Sequence, residues 1–213
     1  MQISRRDILS LVGASALAPV ALAPPARAAA PGFSPYGQRS IGSPKAPVTA
    51  IEYFSLTCTH CAYFANMTMP QVKPKLVDTG KLQIIYRDFP LDAVALMAAQ
   101  VARYLPPDEY YPFIEALFAS QDNWAFVPVT DPSHPPDYPD LLYPYAALAG
   151  MDRATFNTAV ADKKLRAFIL QGQQEAETMY HVNATPTFII NGKTFQGAMD
   201  YADFAATIAA ATG

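Results

Sequence analysis

The two cysteines of this chain constrain its fold more than any other feature, because they stand where two patterns meet. The stretch EYFSLTCTHCAYF contains both of them, Cys58 and Cys61, with two residues between. Residues 48–54, just before, are β-branched and aromatic and predict a buried strand. After them, apolar residues recur at helical spacing. The first cysteine is therefore expected where a strand ends and a helix begins.

The rest of the chain extends this junction into a mixed α/β pattern. Residues 82–87 predict a second strand, so strand, helix and strand form a parallel βαβ unit. Its helix contains Pro70 and Pro74, which should kink or split it. A helical block of about ninety residues follows, and then a hairpin signal, Asn191-Gly192, precedes a closing helix. The order is βαβ, helices, then ββα, which is the thioredoxin arrangement with an insertion.

This order predicts a division of the chain into five segments. They are an export signal at 1–28, a flexible arm at 29–47, the first half of the α/β domain at 48–91, the helical insertion at 92–181 and the second half at 182–213. The arm could supply a short first strand near Gln38–Ile41. Within the insertion, the proline-rich stretch 122–140 predicts a loop.

The first 28 residues are typical of an export signal. Arg5 and Arg6 stand just before an Ala-rich apolar run, and Ala26-Arg27-Ala28 forms a small-x-small cleavage pattern. The arginine pair resembles a twin-arginine signal, and an ordinary secretory signal is the alternative. Either route leads to the bacterial periplasm, an oxidising compartment. The net charge of −3 gives no support for nucleic-acid binding.

The predicted position of the cysteine pair favours redox chemistry. A sulfur at a helix N-terminus faces free backbone N–H groups and the positive end of the helix dipole, which together stabilise a thiolate. A thiolate is the nucleophile of disulfide exchange, so Cys58 is expected to attack. Cys61 lies one turn along on the same face and is expected to be more buried and to resolve. A cationic or donating His60 imidazole would stabilise the Cys58 thiolate further.

Other interpretations of the pair compete with this one. A disulfide that closes so short a loop removes little entropy from the unfolded chain, which disfavours a purely structural bridge. A zinc site normally needs three or four ligands, and beyond Cys58, Cys61 and His60 the chain offers as histidines only His134 and His181. We therefore predict no metal. His60 is also compatible with an ordinary solvated position.

Two further residues are unusual for their places. Glu52 interrupts an apolar strand, so its carboxyl is either exposed at an edge or buried for a reason. Buried under the cysteines, it would have a raised pKa and could exchange a proton with Cys61. Pro186 opens an apolar strand, where it cannot donate a hydrogen bond. A cis Thr185–Pro186 bond would explain this position, and a trans proline at a strand start is the alternative.

Three stretches, EYFSLTCTHC, YRDFPLD and NATPTFIINGKTFQGA, resemble the DsbA-like branch of periplasmic thiol:disulfide oxidoreductases in the thioredoxin superfamily. They bracket most of the chain after the leader, and the helical middle matches in pattern only. The resemblance implies a thioredoxin fold with an inserted all-helical subdomain. It also implies that a redox-active disulfide, Cys58–Cys61, takes the place of a separate cofactor.

The resemblance assigns expected roles to the matching residues. Cys58 would attack and Cys61 would resolve, and the catalytic set would be completed by His60 and Glu52. The predicted substrate contacts are Thr59, Thr185 and Pro186. Between the cysteines stands Thr59-His60, where the family commonly has Pro-His, so the redox direction of this pair stays open.

The sequence therefore predicts an enzyme that introduces disulfides into exported proteins. Its expected partners are the thiols of those proteins and a membrane redox partner of the DsbB type. A reductase or isomerase of the same fold, and a redox-inert binding module, are the alternatives. A monomer is expected, because only about twenty residues separate the predicted cleavage site from the first clear strand.

Overall fold

The structure is a computed structural model that describes residues 33–129, 131, 133 and 135–212. The predicted export signal and His134 lie outside the described residues. In the described part, five strands form one mixed sheet in the order β1–β3–β2–β4–β5, with helices packed on both faces. The α/β fold class predicted from the sequence is thereby confirmed.

The sheet brings the two predicted functional stretches together. Its strands are β1 Arg39–Ile41, β2 Val48–Phe54, β3 Leu82–Asp88, β4 Thr187–Ile190 and β5 Lys193–Gln196. Central β2 runs parallel to β3 and antiparallel to β4, as the βαβ and hairpin signals predict. In this register Tyr53, near the end of β2, lies opposite Thr187, at the start of β4. The residues that follow β2 therefore meet the residues that precede β4.

The helix after β2 changes its hydrogen-bonding pattern at the two prolines. It consists of α1 Thr59–Tyr63, a π-helical turn Phe64–Thr68, α2 Met69–Val72 and a second π-helical turn Lys73–Val77. Pro70 and Pro74 each stand at the second position of their segment. A proline has no N–H to donate, and a wider turn is one way for a helix to accommodate this. The split predicted from the sequence is therefore real, while the segment stays helical.

Every regular element that the structure describes in the insertion is an α-helix. Its helices are α3 Ala93–Arg103, α4 Pro107–Ala119, α5 Gln121–Trp124, α6 Tyr138–Leu148, α7 Arg153–Ala161 and α8 Lys163–Tyr180. The predicted loop at 122–140 is too long, because helices occupy both of its ends. Trp124 is fully buried and its indole N–H donates to the Leu117 carbonyl at 2.9 Å, which holds α5 against α4. The Asp137 side chain caps α6. Pro139 stands in the first turn of this helix, where a proline is tolerated because its missing N–H would have no partner within the helix.

Aromatic packing fixes the helix after Cys61 to the sheet. The ring of Phe64 lies 4.7 Å from that of Phe188 on β4 and 5.2 Å from that of Phe204 on the closing helix α9, Tyr201–Ala210. All three side chains are fully buried. Aromatic pairs at such distances contribute about 0.5–1.5 kcal/mol each beyond their buried area. The cysteine-bearing helix is thus held on a rigid support.

The predicted flexible arm is packed where the structure describes it. Strand β1 pairs antiparallel with β3, and the side chain of Arg39 within it is 2 % exposed. Its guanidinium donates to the Arg103 carbonyl at 2.7 Å. The short first strand is therefore present. Arg39 ties the sheet edge to the insertion, and the flexibility expected of 29–47 stays a prediction.

The opposite face of the sheet is covered by α8. Tyr53 and Ile189 from the sheet pack there with Ala176 of α8 and with Val182. Among the described residues, no helix is long and apolar enough to cross a membrane.

Candidate active site

Cys58 occupies the position that the sequence predicts, directly before α1. Its backbone is extended, with φ −86° and ψ 120°, and its sulfur accepts a hydrogen bond from the backbone N–H of Cys61 at 3.4 Å. The Cys58 thiol also lies 3.2 Å from the backbone oxygen of Thr185 and donates to it. The sulfur therefore lies between a helix N-terminus and the segment that precedes β4.

This environment favours the thiolate of Cys58. The neighbouring Cys61 side chain, the largest cause, acts with the Thr185 side chain and the backbone N–H groups of Cys61 and His60 to outweigh the cost of burial and lower the pKa of Cys58 to about 5. The Thr185 hydroxyl has no hydrogen-bond partner among the described residues. At neutral pH the first sulfur is thus an ionised nucleophile.

Cys61 has the opposite character. Its side chain is 0 % exposed, against 7 % for Cys58, so an incoming sulfur reaches Cys58 first. Burial, and the negative charge that develops on Cys58, raise the pKa of Cys61 well above its ordinary value. Both cysteines are free thiols in this structure. The pair therefore separates into an ionised outer sulfur and a protonated inner one.

Glu52 is buried within the sheet, at 3 % exposure. Burial first, and the neighbouring Cys58 second, raise the pKa of Glu52 to about 8. The carboxyl in turn raises the pKa of Cys61. Of the two positions considered for Glu52, the structure shows the buried one. The carboxyl holds a proton at neutral pH and is electrostatically coupled to both sulfurs.

The segment before β4 forms the other wall of the site. The Thr185–Pro186 peptide bond is cis. Both residues are buried, and the Pro186 carbonyl accepts from the Gly197 N–H at 2.8 Å, which fixes this segment to the end of β5. The backbone carbonyl of Thr185 is thereby held against Cys58.

The dipeptide between the cysteines lies on the surface. The side chains of Thr59 and His60 are both exposed, in the first turn of α1. His60 helps to lower the pKa of Cys58 through its backbone N–H, and the contribution expected of its imidazole stays a prediction. These two side chains form the solvent-facing rim beside the reactive sulfur.

Several residues that support the site were missed by sequence reasoning. The Gln121 side chain donates to the Leu56 carbonyl at 2.8 Å and to the Cys58 carbonyl at 3.1 Å, from the start of α5. On the same loop, the Thr57 hydroxyl donates to the Asp92 carboxylate at 2.6 Å. These partners are 35 to 65 residues apart in the chain, and no local pattern marks them.

The structure does not bring together a metal site among the residues it describes. No group of three or more histidine, cysteine or acidic side chains there could hold a metal ion. His181, one of the histidines considered as an additional ligand, is exposed at the end of α8. A cavity of about 320 Å³ lies on the other face of the sheet, lined by residues such as Tyr53 and Phe168, and the cysteines do not line it.

Comparisons with known proteins agree with this geometry. A family model described as thioredoxin matches residues 35–210. A crystal structure of alpha-DsbA1 from Wolbachia pipientis is 33% identical, with a TM-score of 0.73, and the match covers 83% of this chain and 91% of that one. Disulfide bond formation protein D from Bacillus subtilis is 24% identical over 81% of this chain and 76% of its own length.

A third relative, from Rickettsia prowazekii, is named provisionally as a protein-disulfide oxidoreductase. It is 28% identical over 71% of this chain and 53% of its own length. The chain thus spans about half the length of the rickettsial relatives it matches. Since the family model covers most of the chain and the Wolbachia structure matches closely, the chain belongs to the thioredoxin family and, within it, to the DsbA-like proteins.

Proposed function

We propose that this protein is a thiol:disulfide oxidoreductase that acts as a dithiol oxidase. The single observation that supports this direction is the stabilised thiolate of Cys58, whose pKa is lowered to about 5. A stabilised thiolate favours the reduced enzyme, and an enzyme that favours its reduced form is a strong oxidant of other thiols. The names of the relatives agree with thiol–disulfide chemistry.

The reaction starts from the Cys58–Cys61 disulfide. A substrate thiolate attacks the Cys58 sulfur, a mixed disulfide forms, and Cys61 leaves as a thiolate that takes up a proton. A second substrate thiolate then attacks the substrate sulfur of the mixed disulfide, and Cys58 leaves as a stable thiolate. The substrate has lost two electrons and gained a disulfide. An oxidised membrane partner, of the DsbB type, takes those electrons and restores the enzyme.

Glu52 is proposed as the proton donor and acceptor for Cys61. Its buried carboxyl holds a proton at neutral pH and can give it to the departing Cys61 thiolate. When the enzyme is reoxidised, the carboxylate takes the proton back and frees Cys61 to attack. A carboxyl with a pKa of about 8 suits both directions of this transfer, because near neutral pH it can both donate and accept a proton.

The substrate is proposed to be an extended segment of an exported protein. The cis-Pro186 segment presents the Thr185 backbone beside Cys58, where a peptide strand can align with it. Thr59 and His60 line the exposed rim of the same sulfur. The predicted leader supports a periplasmic location, and we propose a monomer that needs no separate cofactor.

The deciding experiment is the reduction potential of the Cys58–Cys61 pair in glutathione buffers. An oxidase is expected near the DsbA value of about −120 mV, whereas a value near that of thioredoxin, about −270 mV, contradicts the oxidase direction and indicates a reductase. A pair that does not equilibrate indicates a redox-inert binding module.

Two variants test the roles of the individual sulfurs. Cys58→Ser is expected to abolish the oxidation of a reduced, unfolded substrate, because without Cys58 the enzyme cannot form the disulfide that the substrate thiolate attacks. Cys61→Ser, incubated with oxidised glutathione, is expected to accumulate a mixed disulfide between Cys58 and glutathione, visible by mass spectrometry, because no second enzyme thiol is present to displace the glutathione. Mixed disulfides at Cys61 in the Cys58→Ser protein would overturn the assignment.

A further inference from the structure

The proposed exchange reaction requires a proton to reach the buried carboxyl of Glu52. This inference rests on the proposed function, because it concerns the proton that Glu52 exchanges with Cys61. Once the Glu52 carboxyl has given its proton to Cys61, its raised pKa draws a replacement from solvent, and that proton must leave again before the carboxylate can take one from Cys61 at reoxidation. The carboxyl is 3 % exposed, so bulk water does not surround it. A path of polar groups from the surface is therefore needed.

Tyr86 is placed to be the first step of such a path. In the parallel pairing of β2 with β3, Tyr86 lies directly opposite Glu52, so both side chains point to the same face of the sheet. The tyrosine is 3 % exposed, and its hydroxyl has no hydrogen-bond partner among the described residues. A buried hydroxyl without a partner is costly, which calls for an explanation beyond packing.

A small cavity joins Tyr86 and Glu52 to the surface. Its polar wall residues are Glu52, Tyr86, Tyr111 and Glu115, and the rest of the wall is apolar, from Phe64, Ala65, Met69, Ile114 and Phe118. The free space amounts to about 10 Å³ for the centre of a water molecule, close to what one water needs. The cavity can therefore place one water among four polar groups.

The polar groups follow a gradient of exposure. The ring of Tyr86 stacks on that of Tyr111, with centroids 5.9 Å apart and planes at 24°. Tyr111 is half-buried, and its hydroxyl donates to the exposed Glu115 carboxylate at 3.4 Å. The order from inside to outside is thus a buried acid, a buried hydroxyl, a half-buried hydroxyl and a surface carboxylate.

We propose that Tyr86 and Tyr111 carry protons between Glu52 and the surface carboxylate Glu115, with one water in the cavity between the two hydroxyls. A neutral hydroxyl donates one proton while it accepts another, so each tyrosine is unchanged after the transfer. When Cys61 leaves as a thiolate it takes the Glu52 proton, and the chain of hydroxyls returns a proton from the surface. Reoxidation drives the same transfers outwards.

The test is the steady-state rate at which the enzyme catalyses exchange between reduced glutathione and a disulfide substrate, measured at one pH, because each cycle then takes the cysteine pair through both reduction and reoxidation. Tyr86→Phe removes the hydroxyl and keeps the ring, and is expected to slow the reaction by about a hundredfold, the lower end of what proton transfer contributes. The solvent deuterium isotope effect should also change, while the reduction potential stays the same. Tyr53→Phe removes a hydroxyl from the other face of the same strand pair and should leave the rate unchanged.

A second comparison separates proton transfer from a structural role. In a Glu52→Gln background, Tyr86→Phe should cause no additional slowing, because the hydroxyl acts only through the carboxyl. A wild-type rate in Tyr86→Phe, or the same slowing in both backgrounds, overturns the proposal. If Tyr86→Phe does not fold, Tyr111→Phe at the half-exposed position decides, with a smaller slowing expected and a wild-type rate contradicting it. A wild-type enzyme with no exchange at all would overturn the proposed function as well.

Discussion

Two buried carboxyl groups on neighbouring strands have opposite surroundings. Glu52 on β2 is 3 % exposed and Asp88 on β3 is 6 % exposed. Asp88 stands only two residues beyond Tyr86, the register partner of Glu52. In the described part of the chain no ion pair includes Glu52, whereas Asp88 accepts from the Arg103 guanidinium and from the Tyr110 hydroxyl.

The partners of Asp88 extend into a network that joins three parts of the fold. Arg103 on α3 also donates to the Pro35 carbonyl at 3.1 Å and to the Gly37 carbonyl at 3.2 Å, both in the N-terminal arm. Arg39 on β1 donates to the Arg103 carbonyl. A carboxylate that is buried with a cation stays charged and connects elements. A carboxyl that is buried without one keeps its proton and can transfer it.

The strongest test of this contrast removes the charge of Asp88. Asp88→Asn keeps the shape and leaves the buried guanidinium of Arg103 without a counter-ion. The expected loss of unfolding free energy is about 3–5 kcal/mol, the usual cost of breaking a buried ion pair. Urea unfolding monitored by circular dichroism measures it.

A matched surface pair provides the control for Asp88. Asp78 lies 3.0 Å from the Lys73 ammonium, and both side chains are exposed. Asp78→Asn should cost less than about 1 kcal/mol, because solvent screens such pairs. If Asp88→Asn costs no more than Asp78→Asn, the buried network does not hold the arm and the insertion together.

The second test removes the titration of Glu52. Its pKa is raised to about 8 in the folded protein from an ordinary value of 4.5. Between these values the folded state binds a proton that the unfolded state releases. In its disulfide form, which has no Cys58 thiol to titrate, the wild type should therefore lose stability as pH rises from about 4.5 to 8, by up to about 1.4 kcal/mol per pH unit.

In the same disulfide form, Glu52→Gln should lack this slope, and at pH 7 it should be more stable than the wild type by up to about 3 kcal/mol. Urea unfolding at a series of pH values measures both effects. A Glu52→Gln protein with the same pH slope as the wild type would show that Glu52 does not titrate between these values. The contrast with Asp88 would then be lost.

The sequence predicted the burial of Glu52 but gave no indication of the buried network around Asp88. The burial of Glu52 could be anticipated because an acid in a β-branched strand six residues before Cys58 is a local signal. Asp88 stands at the end of an equally apolar strand, but its partners come from residues 15 and 22 positions further along the chain. Only the folded chain brings them together.

The same difference between a local sequence pattern and a contact between distant residues explains which parts of the fold and the site could be predicted. The strands, the split helix and the cysteine junction follow from local periodicity and from prolines, and all appear in the structure. The contacts of Gln121 with the Cys58 loop and the cavity beside Tyr86 depend on tertiary packing. The role expected of the His60 imidazole stays a prediction for a similar reason, because a motif gives the spacing of residues and not the direction of a side chain.

The smallest expected pH dependence of stability is that of the reduced wild-type protein. In the reduced protein the pKa of Cys58 is lowered to about 5 from an ordinary value of 9.0, so the folded state loses its proton before the unfolded state does. This stability is fully present above pH 9 and is lost as pH falls towards 5. Its slope has the opposite sign to that of Glu52, and between pH 5 and 8 the two should nearly cancel.

The disulfide form has no Cys58 thiol, so only the slope of Glu52 remains, since burial, the larger cause of the raised pKa, is still present. Unfolding free energies measured for both redox states between pH 5 and 8 should therefore diverge by about 1.4 kcal/mol per pH unit, with the disulfide form losing stability as pH rises. In Glu52→Gln the disulfide form should become flat and the reduced form should gain stability with pH. Parallel curves for the two redox states of the wild type would mean that the Cys58 thiolate is not stabilised by folding, and the argument for a strong oxidant would fail with it.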